Sequence, residues 1–147
     1  MDNTVGTPKA LILAAGRGTR LSRLTSDRPK CLVPLAGVPI LSRILQNLRS
    51  VGVEQTYIVT GYLGGQIAEE IGQDFDGMRI DYIENPQWEK GNLYSLLAAG
   101  NCLKERFLLL MSDHLCDPRV LAALIDAGLD GSVRLAVDRR EGTQDDT

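Results

Sequence analysis

The chain has 147 residues, 44% of them hydrophobic, and carries a formal charge of -3 with one histidine and three cysteines. That is enough apolar content for one domain with a buried core, and the acidic balance argues against general nucleic-acid binding. The longest apolar runs, Ala10 to Ala15 and Phe107 to Met111, are far shorter than the roughly 20 residues that cross a bilayer, so no membrane span is expected. The opening "MDNTVGTPK" has no basic start and apolar core of a secretion signal. Cys31, Cys102 and Cys116 form no CxxC pair, which points to a reducing, cytoplasmic setting.

Ala10 to Ala14 is continuously apolar and ends near Gly16, as a strand buried on both faces does. Leu41, Ile44, Leu45, Leu48 and Val51 paint one helix face, which Gly52 stops. "TYIVT" at 56–60 predicts the second strand. Leu63, Ile67 and Ile71 predict a second helix ahead of Gly72, and the alternating "RIDYI" at 79–83 predicts an edge or half-covered strand. A loop through Pro86 leads to a helix near Leu93 to Leu103, with Asn92 as its N-cap and Leu93, Leu96 and Leu97 as core. "RFLLLMS" at 106–112 reads as another buried strand, Pro118 opens a helix, and "SVRLAV" at 132–137 is a last strand.

This alternation predicts an α/β fold: a three-layer, Rossmann-like, mostly parallel sheet with helices on both faces. Ligands bind such sheets at the carboxyl ends of the strands, where the winding reverses. In the common order 3-2-1-4, the turn after the first strand becomes the neighbour of "SDH" at 112–114.

Charge singles out the same turn. Between Arg17 and Lys30 stand five cations, Arg17, Arg20, Arg23, Arg28 and Lys30, against one acid, Asp27. Gly16 and Gly18 let backbone N–H groups approach an anion, although an unliganded tight turn needs the same glycines. Two familiar phosphate motifs are excluded. A dinucleotide fingerprint needs a small residue where Leu21 sits, and a P-loop needs Gly-Lys-Ser/Thr where the chain has Leu21 and Ser22.

"LAAGRGTRL" followed by "RPK" resembles the signature of the nucleotidyltransferase superfamily, glycosyltransferase-A-like enzymes that join a nucleoside triphosphate to a phosphorylated sugar or alcohol and release pyrophosphate. Arg23 departs from the family, which usually has proline there. The resemblance implies that the backbone of Leu13, Ala14, Ala15, Gly16, Arg17 and Gly18 lines the nucleotide, and that Thr19, Arg20 and Lys30 hold its phosphates. Arg20 can take an oxygen pair, while Lys30 acts as a point charge or, in the plainer reading, as a solvated loop lysine.

Asp113 stands where the family carries a magnesium-binding aspartate, and the resemblance implies Mg2+ as cofactor; a strand-end aspartate also serves as an ordinary turn or cap residue. Arg20, Lys30 and Asp113 are thus the expected catalytic residues, with Asp113 the metal ligand. His114 is read as a packed or hydrogen-bonded neighbour. By the resemblance the attacking group would be a substrate phosphate, already largely ionised with a second pKa of about 6, so no protein base is expected.

"EKGNLYSLL" with "SDH" is similar to cytidylyltransferases acting on inositol 1-phosphate, and "GNLYSL" also to the phosphocholine branch. That likeness makes CTP the favoured triphosphate and a phosphorylated small molecule its acceptor. It also makes Gly91, Asn92 and Ser95 candidate base or ribose contacts, with Tyr94 and Trp88 left as packing residues. The resemblance runs from Lys9 to about Arg140 and implies that 1–147 is the N-terminal, nucleotide-binding part of one such domain, truncated before a second metal-binding aspartate and an acceptor-phosphate lysine. Neither Asp117 nor Asp138 has the spacing to replace that aspartate.

Overall fold

The computed structural model describes residues 7–18, 27–128 and 133–137. Its main sheet has five strands in the order β5-β6-β4-β1-β7, where β1 is Lys9–Ala14, β4 Gln55–Thr60, β5 Asp74–Phe75, β6 Met78–Glu84 and β7 Phe107–Met111. β6, β4, β1 and β7 run parallel, and only the two-residue β5 is antiparallel. The parallel strands therefore take the expected order: third, second, first, fourth. A small separate hairpin pairs β2, Pro34–Leu35, with β3, Val38–Pro39. Its turn residues Ala36 and Gly37 both have positive φ, the geometry whose twist matches that of paired strands.

Alternation along β1 explains the layers. Ala10, Ile12 and Ala14 belong to one core, with Leu41, Ile44, Leu45 and Leu48 of α1 (Ile40–Ser50), Ile67 and Ile71 of α2 (Gly64–Ile71) and Leu121 of α4 (Pro118–Ala127). Leu11, Leu13 and Ala15 face a second core, with Ala99, Leu96 and Trp88 in and around α3 (Asn92–Ala98). Successive strand residues point to opposite faces, so helices cover both. Leu11 and Ile12 are fully buried, each worth about 1.5–3 kcal/mol of transfer free energy.

"RIDYI" is a half-covered strand that is an edge over most of its length: β6 pairs with β4 along one side, while the two-residue β5, joined to it by Asp76-Gly77 at positive φ, meets only Met78 and Arg79 on the other. Several expectations need correction. The helix after Pro86 ends at Ala98, short of Leu103. Asn92 does not cap it. Gly91 holds the N-cap position at φ +98, and no side-chain cap bond forms. Leu93 and Leu97 are each 64% exposed, because only the Leu96 side of this short helix meets the sheet. β7 is half-buried rather than buried, since among the described residues only β1 pairs with it. Residues 133–137 form no strand. Val133, Leu135 and Val137 alternate as a strand face would, yet they are 83%, 78% and 77% exposed. Alternation supplies a face, whereas a strand also needs a ladder partner for its N–H and C=O groups.

Candidate functional site

The chain leaves β1 for one flank of the sheet and later crosses to β7 on the other, so the winding reverses between them. Leu13 pairs in register with Met111, and Ser112 N–H donates to Leu13 O at 3.2 Å. The glycine turn and "SDH" thus leave adjacent strand ends, as the strand order requires. Leu13, Ala14 and Ala15 are buried, while Gly16 and Arg17 are exposed. Tyr62 N–H donates to Ala15 O at 3.0 Å, tying the loop after β4 to the same turn.

Lys30 opens a short 3-10 turn, Lys30–Leu32, anchored by buried Cys31 and Leu32. Its Nζ reaches Asp113 Oδ2 at 2.6 Å across 83 residues of sequence, with each side chain about 30% exposed. Gly18, at φ +68, makes room for the lysine stem: a Cβ there would stand 2.9 Å from Lys30 Cβ and 3.1 Å from its Cδ. Burial pushes the Asp113 carboxyl up, but the hydrogen bond and charge of Lys30, aided by His114, outweigh it and hold the group below its usual range. The neighbouring Cys31 thiol is pushed up to about 12 by burial and is no nucleophile.

Asp113 Oδ1 is different. It is buried and accepts no hydrogen bond. His114 Nδ1 stands 2.8 Å away, close enough for an ion pair when the exposed imidazole is protonated, but without completing a directed hydrogen bond. An acceptor-only oxygen in that condition fits a hard divalent cation such as magnesium. Among the described residues no cluster of three or more His, Cys, Asp or Glu side chains gathers for a metal. A cation here would take one protein carboxylate and fill its remaining positions from phosphate and water, which is the usual habit of magnesium.

The other expected residues divide clearly. Thr19 and Arg20 lie outside the described residues. Arg17 sets its guanidinium 5.3 Å from the centre of the Tyr62 ring, which is itself tilted against Trp88 at 5.7 Å. Trp88 also fixes the loop: a Cβ at Gly61 would fall 2.5 Å from Trp88 Cβ and 2.8 Å from Ala15 O. Gly91 and Asn92 are exposed, and nothing lies within 4 Å of a Cβ added at Gly91. Ser95 is 2% exposed, and its hydroxyl accepts from the buried Asn85 Nδ2 at 3.0 Å. It is the buried residue of α3 and ties that helix to the loop at Asn85. Asp117 caps α4 and pairs with Arg119 at 2.7 Å, away from any metal role. Sequence reasoning passed over Asn85, Tyr62 and Gly61; only the turn signal of "NP" at 85–86 marked the first of them.

A glycine turn, a lysine and a carboxylate thus meet at the switch point of a doubly wound α/β sheet, where ligands bind in such folds. The chain belongs to the MobA-like NTP transferase domain family, whose model matches residues 10–145. It is 39% identical over 132 residues to a CMP-5'-(3-aminopropyl)phosphonate synthase of Streptomyces rubellomurinus, covering 86% of this chain and 21% of that protein. It is 36% identical over 132 residues to a bifunctional IPC transferase and DIPP synthase of Rubrobacter xylanophilus, covering 89% of this chain and 29% of that protein. Among solved structures, the inositol-1-phosphate CTP transferase of T. maritima superposes with TM-score 0.66 at 30% identity, over 79% of this chain and 48% of that one. The chain thus spans less than a third of these two curated relatives and about half of the solved one.

Proposed function

We propose that this chain is the nucleotide-binding part of a cytidylyltransferase that transfers CMP from CTP to a phosphorylated small molecule, such as inositol 1-phosphate, and releases pyrophosphate. The observation that carries the reading is the meeting of Lys30 with Asp113 beside the Gly16–Gly18 turn. Nucleotidyl transfer needs positioning and charge neutralisation more than covalent help, and this arrangement offers both. The preference for CTP rests on the relatives, two of which are described as acting with CTP or making a CMP conjugate.

In this reading the turn from Leu13 to Gly18 lines the nucleotide, Thr19 and Arg20 hold its phosphates, and Gly91 and Asn92 face the base or ribose. Lys30 sets a point charge at the phosphate under attack. An acceptor phosphate oxygen attacks the α-phosphorus, the bond to the β-phosphate breaks, and pyrophosphate departs. Asp113, together with phosphate oxygens, would hold magnesium, which would supply further neutralisation of the triphosphate. The reducing interior suggested by the unpaired cysteines makes the cytoplasm the setting; no described helix is long and apolar enough to cross a membrane.

Calorimetric titration with CTP, UTP, GTP and ATP, each with and without magnesium, tests the reading. CTP-selective binding strengthened by magnesium is expected, and absence of binding to every triphosphate would refute it. Pyrophosphate release with inositol 1-phosphate, phosphocholine, a hexose 1-phosphate and an aminoalkylphosphonate then identifies the acceptor. Phosphocholine and hexose 1-phosphates are the alternatives to inositol 1-phosphate.

A further inference from the structure

The two oxygens of Asp113 have opposite circumstances. Oδ2 is taken by an ammonium at 2.6 Å, while Oδ1 is buried without a hydrogen bond and has only the exposed His114 imidazole beside it, Nδ1 at 2.8 Å. A divalent cation at this carboxylate would stand within a few ångströms of the Lys30 charge, in a partly desolvated site where repulsion is strong. The lysine and the metal therefore compete for one anion. Lys30 is suited to yield: its charge is compact, its stem is a flexible chain, and its side chain is about 30% exposed, with the stem packed where a Cβ at Gly18 would stand.

We propose that Lys30 is the resident counter-ion of Asp113 and keeps divalent-metal affinity low until a polyphosphate draws its ammonium away. The inference rests on the nucleotide reading above. A triphosphate at the glycine turn gives Lys30 another anion to pair with and gives the metal additional oxygens, so each ligand strengthens the other. By linkage the gain is reciprocal. The ion pair also serves the empty protein, because an unpaired, partly buried carboxylate is costly. Metal and nucleotide then enter as a pair, and free metal alone is held off.

The consequence runs against ordinary intuition: removing a positively charged residue from the phosphate site should improve metal binding while it harms nucleotide binding. Manganese, followed by electron paramagnetic resonance without nucleotide, reads the first effect directly. Lys30→Met should bind manganese about fivefold or more tightly than the parent, the lower end of usual coupling between linked sites. Lys30→Gln should move the same way, Lys30→Arg should match the parent, and Asp113→Asn should lose the binding. Adding CTP should tighten manganese in the parent and do so less in Lys30→Met.

Circular dichroism checks each variant. Unchanged or weaker manganese binding in a folded Lys30→Met or Lys30→Gln protein overturns the proposal. Loss of fold in both overturns it as well, since Lys30 would then be an anchor that cannot move. A parent that ignores CTP while the lysine variants gain manganese sinks the nucleotide reading and leaves the counter-ion standing. A parent that binds CTP while those variants gain nothing does the reverse.

Discussion

β1 and β7 lie side by side, run in the same direction and carry the two halves of the site, yet they are held very differently. Leu11 and Leu109 are register partners across the pair; the first is fully buried and the second is 49% exposed. β1 has a strand on each side and a helix layer on each face, whereas β7 pairs, among the described residues, with β1 alone. The glycine turn therefore leaves a firmly packed strand. Asp113 leaves a looser one and depends more on its local ties, the Lys30 ion pair and the bond from Ser112 N–H to Leu13 O.

The strongest way to break this comparison is at the buried partner. Leu11→Ala should cost about 2–5 kcal/mol, the usual range for a core leucine that leaves a cavity, read from chemical denaturation. Next comes Gly18→Ala, which adds a Cβ 2.9 Å from that of Lys30 at a residue of positive φ. Its cost should be about 1 kcal/mol or slightly more, with weaker CTP binding because the lysine is pushed from its path. Leu109→Ala, across from Leu11, should cost less than about 1 kcal/mol, since half of that side chain is already in water. A loss as large as that of Leu11→Ala would mean that the flank of β7 is covered in solution.

The smallest effect concerns α4, which follows β7. Arg119 holds the exposed Asp117 carboxyl down to about 2. A depressed acid contributes stability above its unfolded value of about 3.9, and that contribution disappears as pH falls through the folded value. Asp117→Asn should thus be slightly less stable than the parent above about pH 4 and equal to it below about pH 2, by urea midpoints across that window. Asp113 contributes with the same sign, because its carboxyl is also held down.

Much of this architecture was legible in the residues themselves. The spacing of Leu41, Ile44, Leu45 and Leu48 marked the buried face of α1, and each of them is in the core. The strand order, and with it the meeting of the glycine turn with "SDH", followed from alternation and winding rules. The leucines of α3 misled, because helical spacing says which side chains share a face and not whether the sheet reaches that face. Residues 133–137 misled for the related reason that a strand is defined by a partner.

Sequence by itself determined the α/β class, the family resemblance and the cluster of cations from Arg17 to Lys30, because periodicity and turn chemistry are local properties written into neighbouring residues. Only the tertiary structure decided that Lys30 meets Asp113 across 83 residues, that the Ser95 hydroxyl accepts from Asn85, and that Gly18 makes room for the lysine stem. Such contacts depend on which strand ends the fold brings together, and no local pattern encodes the distance between two side chains on different strands.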